Sequence, residues 1–166
     1  MSLLRLTSMI VLALWVGGLA ALGFVAAPTI FSVLEGELSG AEAGRAMAGE
    51  VFGAVFQRFQ HVAWVLGGLL LALYGLRAAL GPRPRRLALR MWTTTAMLAM
   101  SLGTALVIAP RIDAIRQSTP GAVAALPDTD PRKGEFGRLH GLSNVLMVVT
   151  LLGGVGLIYA ELKDTH

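Results

Sequence analysis

The chain has 166 residues, 55% hydrophobic and only 14% charged, with a mean hydropathy of +0.67; a soluble domain carries about 25% charged residues, so the implied solvent is lipid. With no cysteine, disulfides, thiolate metal sites, iron–sulfur clusters and a cysteine nucleophile are excluded. The net charge of +4 and pI near 10.3 invite a nucleic-acid reading, but the charges fall in the connections between apolar runs, which points to a bilayer instead.

Four apolar stretches are each long enough for the ~20 residues that cross a ~30 Å hydrocarbon core. The first runs from about Leu6 to Leu34, without a charge between Arg5 and Glu35. It is read as a permanent span. It far exceeds a signal-peptide core, and its small-residue candidate site, Val25-Ala26-Ala27, is followed by Pro28. Pro28 is expected to kink this span and free a carbonyl. The second stretch covers about Val51 to Leu80. It is preceded by an acidic connection, Glu35 to Glu50, in which Ala41 to Gly49 reads as helical.

A short turn, Arg77 to Arg90, follows with five arginines, Pro82, Pro84 and no acid. The third stretch spans about Met91 to Ala109 and is expected to stop at Pro110. Arg111 to Arg138 is a longer connection, irregular between Gly121 and Pro131. The fourth stretch runs from about Leu139 to Leu162. The runs are continuous and rich in Leu and Ala rather than alternating, which excludes a β-barrel reading. The fold expected is all-α, a polytopic four-transmembrane-helix bundle forming a single domain over 1–166.

Lysine and arginine counts are tied at seven on each side. The short arginine turn is hardest to translocate, and the outer basic residues sit among eight acids. The expected topology is therefore N-in and C-in, multi-pass, in the cytoplasmic (inner) membrane.

Polar residues concentrate toward the outer ends of the spans, whereas the inner halves read as nearly pure Leu, Val, Ala and Gly. Thr29, Ser32, Glu50, Gln57, Arg58, Gln60, His61, Arg111, Asp113, His140, Ser143 and Asn144 make up this outer set. Ionisable groups at membrane depth are costly and by default mark function. A charge network of Glu50, Arg58, Arg111 and Asp113 is expected at the outer mouth. His140, Ser143 and Asn144 fall on one helix face.

His61 and His140 are cofactor candidates, for haem iron or copper, with His140 the candidate metal ligand. Their depths disagree: at 1.5 Å per residue, His61 lies roughly 15 Å beyond Val51 and His140 about 6 Å beyond Phe136. They match only if the second helix starts near Met47. The competing reading is a structural histidine that staples helices together. Among seven methionines, Met97 and Met100 at i, i+3 read as core packing. Gly49-x-x-x-Gly53 and Gly137-x-x-x-Gly141 let helices approach closely, within the monomer or at a dimer face. No Walker loop, Rossmann fingerprint, HExxH or GxSxG occurs.

An ordered set of motifs resembles the transmembrane protein 205-like family. It comprises Trp15-Val16-Gly17-Gly18 with Ala27-Pro28 and Phe31, then Gly49-Glu50-Val51-Phe52-Gly53 with Phe56 and Phe59. Pro110-Arg111-Ile112 with Arg116, and Phe136 to Asn144, complete it. The resemblance implies four helices, no established enzymatic activity and a link to drug and metal tolerance. It also implies a distant similarity to copper-resistance D-type membrane proteins. His61 is outside the pattern.

The reading is a small integral membrane protein without catalytic turnover, acting as an accessory subunit or as a binding or transport protein with an outward-facing polar site. A copper or small-molecule transporter and a haem- or quinone-linked redox protein using His61 and His140 are the alternatives. The partners expected are the lipid bilayer and either partner membrane subunits or a second copy, not nucleic acid.

Overall fold

A computed structural model describes residues 3–37, 40–80 and 85–163. Four helices carry the fold: α1 Leu3–Glu37, α2 Ala41–Leu80, α3 Leu87–Gln117 and α4 Pro131–Lys163. All four are long and apolar enough to cross a membrane, and no strand occurs among the described residues. Large apolar side chains such as Phe24, Val65, Trp92, Leu106 and Leu152 stand on the outside, where lipid solvates them.

The helices outrun the expected spans. At 1.5 Å per residue, the 40 residues of α2 reach about 60 Å, twice the hydrocarbon thickness. α2 and α4 begin well before Val51 and Leu139, because Ala41–Glu50 and Pro131–Arg138 are helical outside the apolar core. The turn residues Pro82, Arg83 and Pro84 lie outside the described residues.

Neither internal proline ends its helix, which corrects the expected stop at Pro110. The cause is the same in both places. A proline at position i clashes with the carbonyl at i−4 and brings no N–H. Each chain segment widens by one residue just before it, into a π turn at Leu22–Ala26 and at Thr104–Ile108. Ala27 N–H bonds the Leu22 carbonyl and Ala109 N–H bonds the Thr104 carbonyl, both i−5. Pro28 and Pro110 follow at identical spacing, so α1 and α3 carry matching widened turns.

Connections are built locally. Gly40 sits at φ 148 before α2, and a Cβ on Gly44 would strike the Leu34 carbonyl, so only glycine lets α1 and α2 meet there. Arg45 and Glu35 pair across that corner at 2.9 Å. Asp130 caps α4, its Oδ1 accepting the Arg132 N–H at 2.9 Å, and Pro131 takes the first helical position. Lys133 donates to the Leu126 carbonyl at 2.9 Å and to Asp128 at 2.8 Å; Arg132 reaches the Ser118 carbonyl at 2.9 Å. These bonds fasten the connection between α3 and α4, with its short 3-10 turn Val123–Ala125, to the start of α4.

The core occupies the half of the bundle that holds the start of α1 and the end of α4. Leu12, Trp15, Leu70, Tyr74 and Met97 are fully buried there. Gly18 receives the Phe59 ring, Gly67 receives Leu98 and Trp15, and Gly154 receives Val16.

This half is not purely apolar, contrary to the sequence expectation. Glu161 on α4 is fully buried. It accepts from Arg77 of α2 at 2.7 Å and from Arg90 of α3 at 2.5 Å. Arg5 of α1 donates to the Glu161 carbonyl at 2.5 Å and Arg90 to the Ala160 carbonyl at 2.8 Å. The Tyr74 ring lies 5.9 and 6.0 Å from the Arg77 and Arg90 guanidinium carbons. Residues from all four helices meet at this point.

Candidate functional site

In the opposite half the helices enclose a cavity of about 590 Å³, lined by residues of all four. α2 supplies Gly49, Glu50, Gly53, Phe56, Gln57 and Gln60. This set repeats at helical spacing, so one face of α2 looks inward. α3 supplies Thr104, Ile108, Ile112, Asp113 and Arg116, and α4 supplies His140, Ser143, Asn144 and Met147. From α1 come Gly23, Ala27 and Phe31. Both π turns therefore wall the cavity, through Gly23 and through Thr104 and Ile108. Such widened turns are frequent at functional sites.

Arg116 is the one guanidinium among the described residues that line the cavity, beside the carboxylates of Asp113 and Glu50. Its guanidinium fills the groove left by Gly49 and Gly53: a Cβ on either would stand 2.9 Å from Nη2 or 3.6 Å from Nη1. It lies 3.8 Å from Asp113 and 5.6 Å above the Phe136 ring, which is stacked parallel on His140 at 6.0 Å. The Gly49-x-x-x-Gly53 stripe thus seats an arginine rather than a helix backbone. Gly137 and Gly141 have nothing within 4 Å, so no neighbouring helix approaches them, against the sequence expectation.

The inner wall of the cavity is a fixed polar contact between α2 and α3. Ser101 donates to Gln60 Oε1 at 2.6 Å and accepts from Trp64 Nε1 at 3.0 Å. Gln60 is buried and holds this end in place.

Two seams around the cavity lack close backbone packing, α1 with α4 and α2 with the end of α3, and Arg116 fills the second against Gly49 and Gly53. The outer half of α1, Ala27–Glu37, packs on α2 and makes no comparable packing with α4, although the inner half does. The two helices part near Gly23, where a Cβ would meet Met147 Cε at 3.3 Å. Beyond that point Ala27 and Phe31 of α1 and His140 and Asn144 of α4 line the cavity without close packing between their helices.

The sequence-selected residues divide accordingly. Glu50, Gln57, Asp113, His140, Ser143 and Asn144 line the cavity; Arg58, Arg111 and His61 do not. Arg58 and His61 fall off the inward face of α2 and are exposed. His61 stands edge-on to Trp64 at 4.9 Å. It is therefore not opposed to His140 as a second axial ligand. Arg111 faces a separate hollow beside Glu135 and Arg138. The expected four-residue network is thus replaced by an Asp113–Arg116 pair, because Arg116 and not Arg111 shares the inward face of α3. Among the described residues no group of three His, Cys, Asp or Glu could hold a metal. Gln60, a sequence candidate, lines the cavity as well; Arg116 and Glu161 were not among the sequence candidates. The i, i+3, i+4 face through Asp113 would have picked out Arg116.

The domain of unknown function DUF4149 matches residues 10–120. The chain belongs to this family. No curated protein and no solved structure matches the chain. The DUF4149 match takes in α1, α2 and α3 with both π turns, Glu50, Asp113 and Arg116. It stops before α4, which brings His140 and Glu161.

Proposed function

We propose that this DUF4149 protein is a binding component of the cytoplasmic membrane that takes a small ligand into its outward-facing cavity, without catalytic turnover. It serves as an accessory or transport protein. One observation carries the reading: a cavity of about 590 Å³ contacted by all four helices, within the size range of ligand sites, holds Arg116, Asp113, Glu50 and His140 where simple helix packing would place apolar side chains. The resemblance to the transmembrane protein 205-like family and, distantly, to copper-resistance D-type proteins supports a tolerance or transport role. Bis-histidine haem draws no support from the exposed position of His61. A copper reading rests on His140 and Met147 in one cavity.

The absence of native cysteine makes the test direct. Ser143→Cys should react in intact cells with a membrane-impermeant thiol reagent, and Val145→Cys, on the lipid side of the same helix, should not. Filling the cavity with Gly53→Trp should abolish the Ser143→Cys reaction. Equal reaction of Ser143→Cys with and without Gly53→Trp would overturn the outward-facing cavity.

A further inference from the structure

We propose that the cavity takes a zwitterionic headgroup, a phosphate beside a primary ammonium, and that its occupant is a phospholipid entering from the outer leaflet through the seam between α1 and α4. This rests on the cavity being the binding site and names its ligand class.

The charge pattern selects the headgroup. Arg116 offers a planar guanidinium suited to bidentate contact with phosphate oxygens. The glycine groove at Gly49 and Gly53 holds it against α2, so it is positioned before a ligand arrives. Asp113 stands 3.8 Å away, and Glu50 adds a second carboxylate to the same lining. A purely anionic headgroup would meet two carboxylates for one arginine, and a purely cationic one would meet the arginine. A headgroup carrying both charges a few ångströms apart satisfies the guanidinium and a carboxylate together.

The route selects a lipid rather than a soluble molecule. The seam between the outer half of α1 and α4 lacks close packing and no side chain such as Arg116 fills it, so the route runs laterally through this seam. Its edges are apolar, with Phe31 on α1 and Met147 on α4, flanked on the bilayer side by exposed Phe24, Val25 and Val145. Open space beside Gly137 and Gly141 leaves room for an acyl chain along α4. The headgroup then lies inside the bundle while the chains remain in the leaflet.

Native mass spectrometry of the detergent-purified protein tests this with three probes: dioctanoyl phosphatidylethanolamine, dioctanoyl phosphatidylglycerol and chainless glycerophosphoethanolamine. Phosphatidylethanolamine should be retained at least tenfold better than either of the others. Arg116→Gln and Asp113→Asn should each reduce that retention at least tenfold, with the melting temperature of each variant checked to show that it is folded. Selectivity of the unaltered protein needs no variant. Phosphatidylglycerol bound as well as phosphatidylethanolamine would overturn the zwitterion assignment. Chainless headgroup bound as tightly would overturn the lateral lipid route. Failure with all three probes while Ser143→Cys still labels from outside would overturn this inference alone. Loss of that labelling overturns the cavity reading beneath it.

Discussion

Arg90 Nη1 and Glu161 Oε1 meet at 2.5 Å, and both side chains are almost wholly shielded from solvent. The same carboxylate oxygen accepts from Arg77 at 2.7 Å. A buried ion pair is a weak source of net stability, but removing one partner costs about 3–5 kcal/mol because the other charge remains at depth. Glu161→Leu should therefore lower the detergent melting temperature sharply, whereas Glu161→Gln, which keeps an acceptor, should lower it less. Equal melting of the two variants would show that the charge contributes nothing.

Two glycines of α4 give a controlled packing test. A Cβ at Gly154 runs into Val16 and stands 3.3 Å from Met97 Cε, while Gly156 has nothing within 4 Å. Gly154→Ala should destabilise by about 1–3 kcal/mol through overpacking. Gly156→Ala should be neutral or gain up to about 1 kcal/mol from helix propensity. Thermal unfolding of the two variants side by side decides it.

Orientation is read from the arginine turn. Arg77 and Arg90 are both drawn into the pairing with Glu161, while Arg85 and Arg86 remain exposed. A short arginine-rich turn with no acid of its own is hard to translocate, which favours an inner location. Arg85→Cys should be protected from an impermeant reagent in intact cells and Thr129→Cys should react. The reverse pattern would invert the protein and turn the cavity inward.

The connection between α3 and α4 should respond to acid. A hydrogen bond from Lys133 holds the Asp128 carboxyl below its ordinary value. Side-chain and then backbone hydrogen bonds from Arg132 do the same for Asp130. A lowered folded-state value means that these contacts add stability above the ordinary carboxylate range and lose it as pH falls through the lowered values. A spin label at Ala124→Cys should keep its mobility from pH 7 to pH 5 and loosen below about pH 4. Adding Asp130→Ala, which removes the cap, should raise mobility already at pH 7.

The sequence made the four helices legible because continuous apolar runs have no other stable solution in lipid. Core placement of Met97 followed from its i, i+3 spacing. Site residues were legible only as far as helical periodicity was applied. On α4 the spacing of His140, Ser143 and Asn144 placed them on one face, and they line one cavity. Along α2 the inward series through Gly49, Gly53, Phe56 and Gln60 excludes Arg58 and His61, which depth alone had suggested. The Glu161 cluster was illegible because its members are scattered over 156 positions, from Arg5 to Glu161, and each separately looks like an interfacial charge that snorkels. The π turns were hidden for another reason: a proline in an apolar run signals a break, and nothing nearby says that one extra residue will absorb it.

That extra residue sets the angular phase of everything beyond it. Each helical residue turns the chain by about 100°, so running 104–108 as an ordinary α-helical ladder, with no residue removed, would swing the far end of α3 by roughly that angle. Arg116 would leave its glycine groove, and Arg111 would rotate toward the place that Asp113 or Ile112 now holds. The inner end, with Arg90 on Glu161, would stay in register. A single insertion thus acts as a phase shifter, letting one helix satisfy a clamp at one end and a binding cavity at the other without changing either set of side chains.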